Sequence, residues 1–185
     1  TKVEEKVIQT DSSATDLKNI SFTHLHNHSQ FSVLQSTSDV ADLVKKAAEY
    51  NMPAIALTDH GNMYGAFTFW QSVDKQNKGI KAHNDAIDKG EKQGEKKKEI
   101  KCIIGCELYV TKNHTDKSKQ DNGFAIPFLA KNKHGYENLS KLSSIGFVHG
   151  FYYVPRIDKD VLVQHKEGLI VTTGGLMGEV PSLIL

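Results

Sequence analysis

The 185-residue chain carries 23 Lys and Arg against 22 Asp and Glu, a formal net charge of +1, with 38% hydrophobic and 24% charged residues. That length supports one domain with a real core, and the charge balance excludes a strongly basic or acidic body, so any nucleic-acid contact has to come from a local patch. Two cysteines exclude a disulfide framework and a four-cysteine zinc site, and with no apolar run of membrane-spanning length and no secretory core the expectation is a soluble, reducing, cytoplasmic setting with no membrane partner.

Residues 1–20 are polar and read as a linker that does not begin with Met, while the other end stops at the apolar "PSLIL"; both suggest a piece of a longer protein. "ISFTHLH" reads as the first strand. In "SDVADLVKKAAEYN", Val40, Leu43, Val44, Ala47 and Ala48 recur at helical spacing, with Ser38 placed to cap the helix and Asp39 where the dipole favours an acid. "MPAIALTD" follows as a continuously apolar strand of the doubly buried kind, which makes strand, helix, strand one parallel crossover unit.

From Lys78 to Lys101 the chain is almost wholly polar, with eight lysines against five acids. A solvated helix or a floppy insertion at about residues 75–100 is expected, peripheral and partly mobile, since a modest charge excess is more often solvent-facing than phosphate-binding. Beyond it, "KCIIGCELYV", "FAIPFLA" and "LIVTTG" read as strands and "HGYENLSKLSSIGF" and "IDKDVLVQH" as helices. The alternation argues for an α/β fold, open sheet or barrel, with its site at the carboxyl ends of the strands.

Three features gather there. His26 and His28, two apart on a strand, point the same way, as a chelating pair must. "TDHG" puts Asp59 and His60 directly after the buried strand, with Gly61 permitting a sharp exit. Glu107 is a carboxylate inside an apolar strand, where it needs a cation, a positive side chain or water. Imidazoles plus a carboxylate suit Zn²⁺, Mn²⁺ or Fe²⁺ rather than Ca²⁺, and bound metals of that kind support hydrolysis.

"HLHNHSQFS", "PAIALTDHGNMYGAFTF", "GCELYV", "LAKNKHGYENLSKLSS" and "GFYYVPRIDKDVL" together resemble the amino-terminal PHP (polymerase and histidinol phosphatase) domain of the bacterial replicative DNA polymerase III alpha subunits, from about Phe22 to the last residue. The resemblance implies a PHP domain over residues 21–185, built as a distorted (β/α)7 barrel that is incomplete at the carboxyl end of this chain. It implies up to three metals at the strand ends in metal-binding members. By that resemblance His26, His28, His60 and Glu107 are ligands, and His24 and Asp59 support them.

Three matched positions depart from the ligand pattern: Gln35 replaces an Asp, Ala125 a His and Gly175 a Cys. One divalent cation (Zn, Mn or Mg) is therefore expected rather than a full cluster, and the retained histidines are expected to hydrogen-bond one another and Asp59. His83, His114, His134, His149 and His165 read as surface residues. The resemblance implies a role in DNA replication, with nucleotidyl transfer in later domains and the rest of the polymerase chain, DNA and replisome subunits as partners. The alternative is a metal-dependent phosphoesterase or 3′–5′ exonuclease.

Overall fold

The computed structural model describes residues 20–176 and 178–185; most of the expected linker, residues 1–19, lies outside them. The elements run α1 (Val40–Glu49), β1 (Ala54–Leu57), α2 (Ala66–Asp88), β2 (Lys101–Thr111), β3 (Phe124–Ala130), α3 (Lys133–Val148), β4 (Arg156–Asp158), α4 (Lys159–Gln164), β5 (Leu169–Val171) and α5 (Glu179–Ile184). No described helix is long and apolar enough to cross a membrane.

β2 organises this mixed α/β fold. Its first four residues pair in parallel with β1, Ala54 opposite Lys101 through Leu57 opposite Ile104. Residues 105–110 pair antiparallel with β3, and residues 109–111 pair in parallel with β4. Because β3 and β4 both pair Tyr109 and Val110, they lie on opposite edges of β2. β5 extends the sheet antiparallel to β3. The sheet is thus not the all-parallel array that the alternation suggested: residues 112–123 join β2 to β3 as an irregular loop, too little to carry a helical crossover, so β3 must return antiparallel.

Alternation along β2 separates two environments. Even-numbered residues face the helices: Cys106, Leu108 and Val110 pack with Phe128 against Leu139, Leu142 and Ile157. Val40, Val44 and Ala47 of α1 pack with Phe69 and Val73 of α2 against Ile55 and Leu57. Each of the Val, Leu, Ile and Phe side chains removed from water here contributes roughly 1.5–3 kcal/mol. Odd-numbered residues, Glu107 and Tyr109 among them, occupy the other face. Away from Glu107, that face opens into an apolar cavity of about 480 Å³ lined by Leu25, Ile103, Leu129 and Ile170.

Three local expectations are corrected. "ISFTHLH" is extended but forms no regular ladder: Ala56 N–H donates to His24 O and Thr58 N–H to Asn27 O, so a two-residue step from Ala56 to Thr58 spans three residues of the segment. The Asn27 side-chain amide supplies the missing donor to Ala56 O. Asp39, not Ser38, caps α1, accepting from Ala41 N–H. In "IDKDVLVQH", Ile157 and Asp158 belong to β4, and Asp158 caps α4 through Val161 N–H.

The Lys-rich stretch is helical as far as Asp88. It has anchors that a count of polar residues passes over, for Ile80 and Ile100 are both 3% exposed. The Asn77 side chain both donates to and accepts from the Ile100 backbone. Asn84 does the same with Lys97.

Arg156, fully buried, donates to the carbonyls of Gly150, Asp121, His114 and Asp116 and so ties the β2–β3 loop to β4. His114 is correspondingly not a surface residue: its Nδ1 pairs with Asp158.

Candidate metal centre

β1 is followed directly by Thr58, Asp59 and His60, and the His60–Glu107 bridge carries its line on along β2. Gly61 makes the turn with φ +67°, against Pro155, whose Cγ lies 2.4 Å from where a Cβ would stand. Any side chain here would be both strained and obstructed. The bulged segment at Asn27 brings His26 and His28 over the same point.

Three imidazoles meet one carboxylate oxygen. Glu107 Oε2 lies 2.7 Å from His28 Nε2, 3.0 Å from His60 Nδ1 and 3.2 Å from His26 Nε2. The His28 and His60 rings stack at 4.0 Å, and His26 stands edge-on to His28 at 4.9 Å. Glu107 is 4% exposed. Burial opposes its charge, but hydrogen bonds from His26 and His28 and the nearby positive charge of His60 and His26 prevail and hold its pKa at about 2. The Glu107 hydrogen bond raises the pKa of His26. Burial lowers that of His60, reinforced by His28.

Donor atoms of His26, His28 and Glu107 all lie within 4.8 Å of one another. Nitrogen and oxygen donors about 2.0–2.1 Å from a tetrahedral zinc stand about 3.4 Å apart, so a small outward movement of the two imidazoles from Glu107 fits one cation of the zinc or manganese kind. His60 does not join that trio, although its ring stacks on His28 and its Nδ1 lies 3.0 Å from Glu107 Oε2.

The other expected site residues separate. Asp59, 1% exposed, accepts from Ser29 N–H at 2.6 Å, Ser29 Oγ at 2.8 Å and Ser32 Oγ at 2.7 Å. It bonds to none of the histidines. Contrary to expectation, then, the histidines turn to Glu107 rather than to one another and Asp59, because a buried carboxylate already given three donors has no need of theirs. His24 is exposed and packs its ring against Phe22.

Gln35 is exposed on the loop after His28, and Gly175 is exposed with open space where a side chain would be. Ala125 lies directly opposite Tyr109 in the β2–β3 ladder. Ser29, Ser32 and Tyr109 were missed by reading the sequence. Tyr109, whose Oη lies 3.3 Å from His60 Nδ1, was legible as the residue two beyond Glu107 on the same face.

Comparison with known proteins agrees with this architecture. The family model described as "PHP domain" matches residues 24–185. The chain is 42% identical over 168 residues to the DNA polymerase III subunit alpha of Borreliella burgdorferi, covering 89% of this chain and 13% of that protein. It is 42% identical over 165 residues to the Chlamydia trachomatis subunit, covering 87% and 12%. With the Treponema pallidum subunit it is 39% identical over 170 residues, covering 90% and 13%. The chain therefore spans about an eighth of the length of the curated relatives it matches. A family match running from His24 to Leu185, through the segments that bring His26, His28, His60 and Glu107 together, means that this chain belongs to the PHP domain family.

Proposed function

We propose that the chain is the amino-terminal PHP region of a bacterial replicative DNA polymerase, an alpha subunit of DNA polymerase III, and that it serves there chiefly as structure and contact surface around a reduced cation site. The observation that carries this reading is the 42% identity over 168 residues to a subunit of that name. Nucleotidyl transfer belongs to other parts of the polypeptide, and the partners are the rest of that chain and, through it, DNA and the replisome in the cytoplasm. Residues 1–20 act as a linker, and of the insertion at about 75–100 the exposed residues 89–99 are the peripheral part. The domain completes a distorted seven-stranded (β/α) barrel with further strands, a reading supported by the half-exposed Ile170 and Val171 of β5 and by the open apolar cavity beside Leu129.

In this reading His26, His28 and Glu107 hold one divalent cation, with Asp59 and its serines fixing the β1 turn that presents His60. Gln35, Ala125 and Gly175 bring no imidazole, carboxylate or thiolate for further ions. A bound cation would polarise a phosphoryl oxygen, but a clamp on both attacking and leaving oxygens needs a second ion.

The convergence of three imidazoles on Glu107 favours a second reading, a metal-dependent phosphoesterase or 3′–5′ exonuclease. One experiment separates them. In the full-length polymerase, His26→Ala with His60→Ala should leave template-dependent primer extension within twofold, and neither protein should degrade a labelled single strand with Mn²⁺ or Zn²⁺. Degradation by the unaltered protein that the substitutions abolish would establish the hydrolase instead.

A further inference from the structure

The apolar cavity lies at the other end of β2 from the cation trio, for Lys101 lines it and stands six residues, about 20 Å, before Glu107. Its floor is Leu25, Ile103, Leu129 and Ile170, and its rim is cationic. Lys101, Lys131 and Lys133 stand around the mouth, and no Asp or Glu lines it. Lys133 opens α3, so the positive end of a 16-residue helix adds to the same field. Among the described residues Lys101 and Lys131 have no ion pair, and Lys133 reaches only Glu137, at 4.0 Å. Like charges gathered on one apolar mouth repel one another until an anion joins them.

Two open elements flank the cavity. β5 ends the sheet path: Ile170 pairs with Leu129 of β3, and no strand pairs with the other edge of β5 among the described residues. On the far side Leu25, 41% exposed, lies in the extended segment that hydrogen-bonds to β1. A strand edge with free N–H and C=O groups beside exposed apolar side chains is a template for one more strand. This chain spans about an eighth of the relatives' length, so those proteins have ample chain to supply it.

We infer that the cavity is filled by an acidic strand of the same polypeptide: an extended segment that pairs with β5, sets apolar side chains on Leu25, Ile103, Leu129 and Ile170, and brings at least two carboxylates to Lys101, Lys131 and Lys133. The inference rests on the barrel-completing reading above and adds the chemistry of the segment that closes the barrel. Ion pairs at an apolar mouth are held partly out of water, where they are stronger than pairs on open surface.

The test is carbodiimide coupling of carboxylates to lysines in the full-length polymerase as isolated from cells, read by peptide mass spectrometry. Lysine acetylation rates and thiol labelling of Ile170→Cys are measured alongside. Lys101, Lys131 and Lys133 should couple to Asp or Glu residues of one segment of that polypeptide. They should acetylate about tenfold more slowly than Lys92 and Lys98, which are exposed on the insertion, because a shielded and paired ammonium seldom presents the neutral amine that reacts. Ile170→Cys should label much more slowly than Val33→Cys, a position 73% exposed. A shielded Ile170→Cys, with lysines that couple to no carboxylate and acetylate as fast as Lys92, overturns the inference and leaves the closed barrel standing. Coupling to a different protein also overturns it, in favour of a separate acidic partner. An Ile170→Cys that labels as fast as Val33→Cys overturns both the inference and the barrel-completing reading.

Discussion

Ser32 joins Asp59 to His60: its hydroxyl donates to Asp59 Oδ1 at 2.7 Å and accepts from the His60 backbone N–H at 3.1 Å. One side chain thus neutralises part of a buried carboxylate and fixes the start of the turn that carries an imidazole to Glu107. Ser32→Ala should cost about 1–3 kcal/mol in chemical denaturation, because it leaves both a buried acceptor and a buried donor short of a partner. Asp59→Asn should cost more than Ser32→Ala, since Asp59 receives three donors and the new amide would set its own N–H against one of them. An Asn variant as stable as the unaltered protein would show that Asp59 need not accept from all three donors.

The polar stretch between α2 and β2 divides into a part that packs and a part that does not. Removing 89–96 and joining the ends with a short Gly-Ser turn takes away exposed residues and a surface ion pair, Lys96–Asp88, of a kind worth about 0–1 kcal/mol. The thermal midpoint should move by a few degrees at most. Removing all of 78–101 also discards Ile80, Ile100 and the Lys101–Ala54 pairing, and that protein should be insoluble or melt far lower. Equal behaviour of the two deletions would mean that Ile80 and Ile100 anchor nothing.

What was legible in the sequence was what period and composition record. The apolar run at 54–57, the helical spacing from Val40 to Ala48 and the isolated carboxylate at 107 are all patterns of one element, and each led to the right element or face. The direction of β3 was not legible, because it depends on how short a loop is rather than on any residue in the strand. The bulge at Asn27 was hidden for a related reason: a side-chain amide replaces a backbone donor, and no periodicity marks that exchange. At the site, the spacing of His26 and His28 was readable, whereas the separation of Asp59 from the histidines depended on Ser29 and Ser32, small polar residues whose burial follows only from the packed loop.

Acid and base should destabilise the cation-free protein for opposite reasons at the same cluster. Glu107 has its pKa lowered from an ordinary 4.5 to about 2, so its ionised form contributes stability that is fully present above about pH 4.5 and is lost as pH falls toward 2. At about 1.36 kcal/mol per unit, that limb is on the order of 3 kcal/mol. His26 has its pKa raised above 6.5, so its contribution is present below pH 6.5 and is lost as pH rises through the raised value. His60, whose pKa burial lowers, works against this and weakens the fold as pH falls below 6.5, so the Glu107 limb below pH 4.5 is the larger of the two. Denaturation midpoints across pH 2–9 should show both limbs in the unaltered protein and neither in Glu107→Gln; an unchanged profile in the Gln variant would place the titrating groups elsewhere.

Ala125 offers the sharpest examination of whether the site has lost a donor. It stands directly opposite Tyr109, on the face that carries Glu107, two residues along β3 from Pro127, which is opposite Glu107. Directly opposed Cβ atoms in such a ladder are about 4.5–5.5 Å apart and diagonal ones about 7–8 Å, so an imidazole at 125 reaches the space between Tyr109 and Glu107. Ala125→His should therefore tighten zinc binding about tenfold in chelator competition, by adding a fourth donor to the trio of His26, His28 and Glu107. Ala125→Leu, of similar bulk and without a donor, should not tighten it. If His and Leu behave alike, position 125 lies outside the donor sphere and the resemblance that marks it as a vacated ligand position does not hold for this chain. If His alone tightens the ion, hydrolysis of a phosphodiester should still stay low, because Gln35 and Gly175 leave a second ion without donors and one cation cannot hold both the attacking and the leaving oxygen.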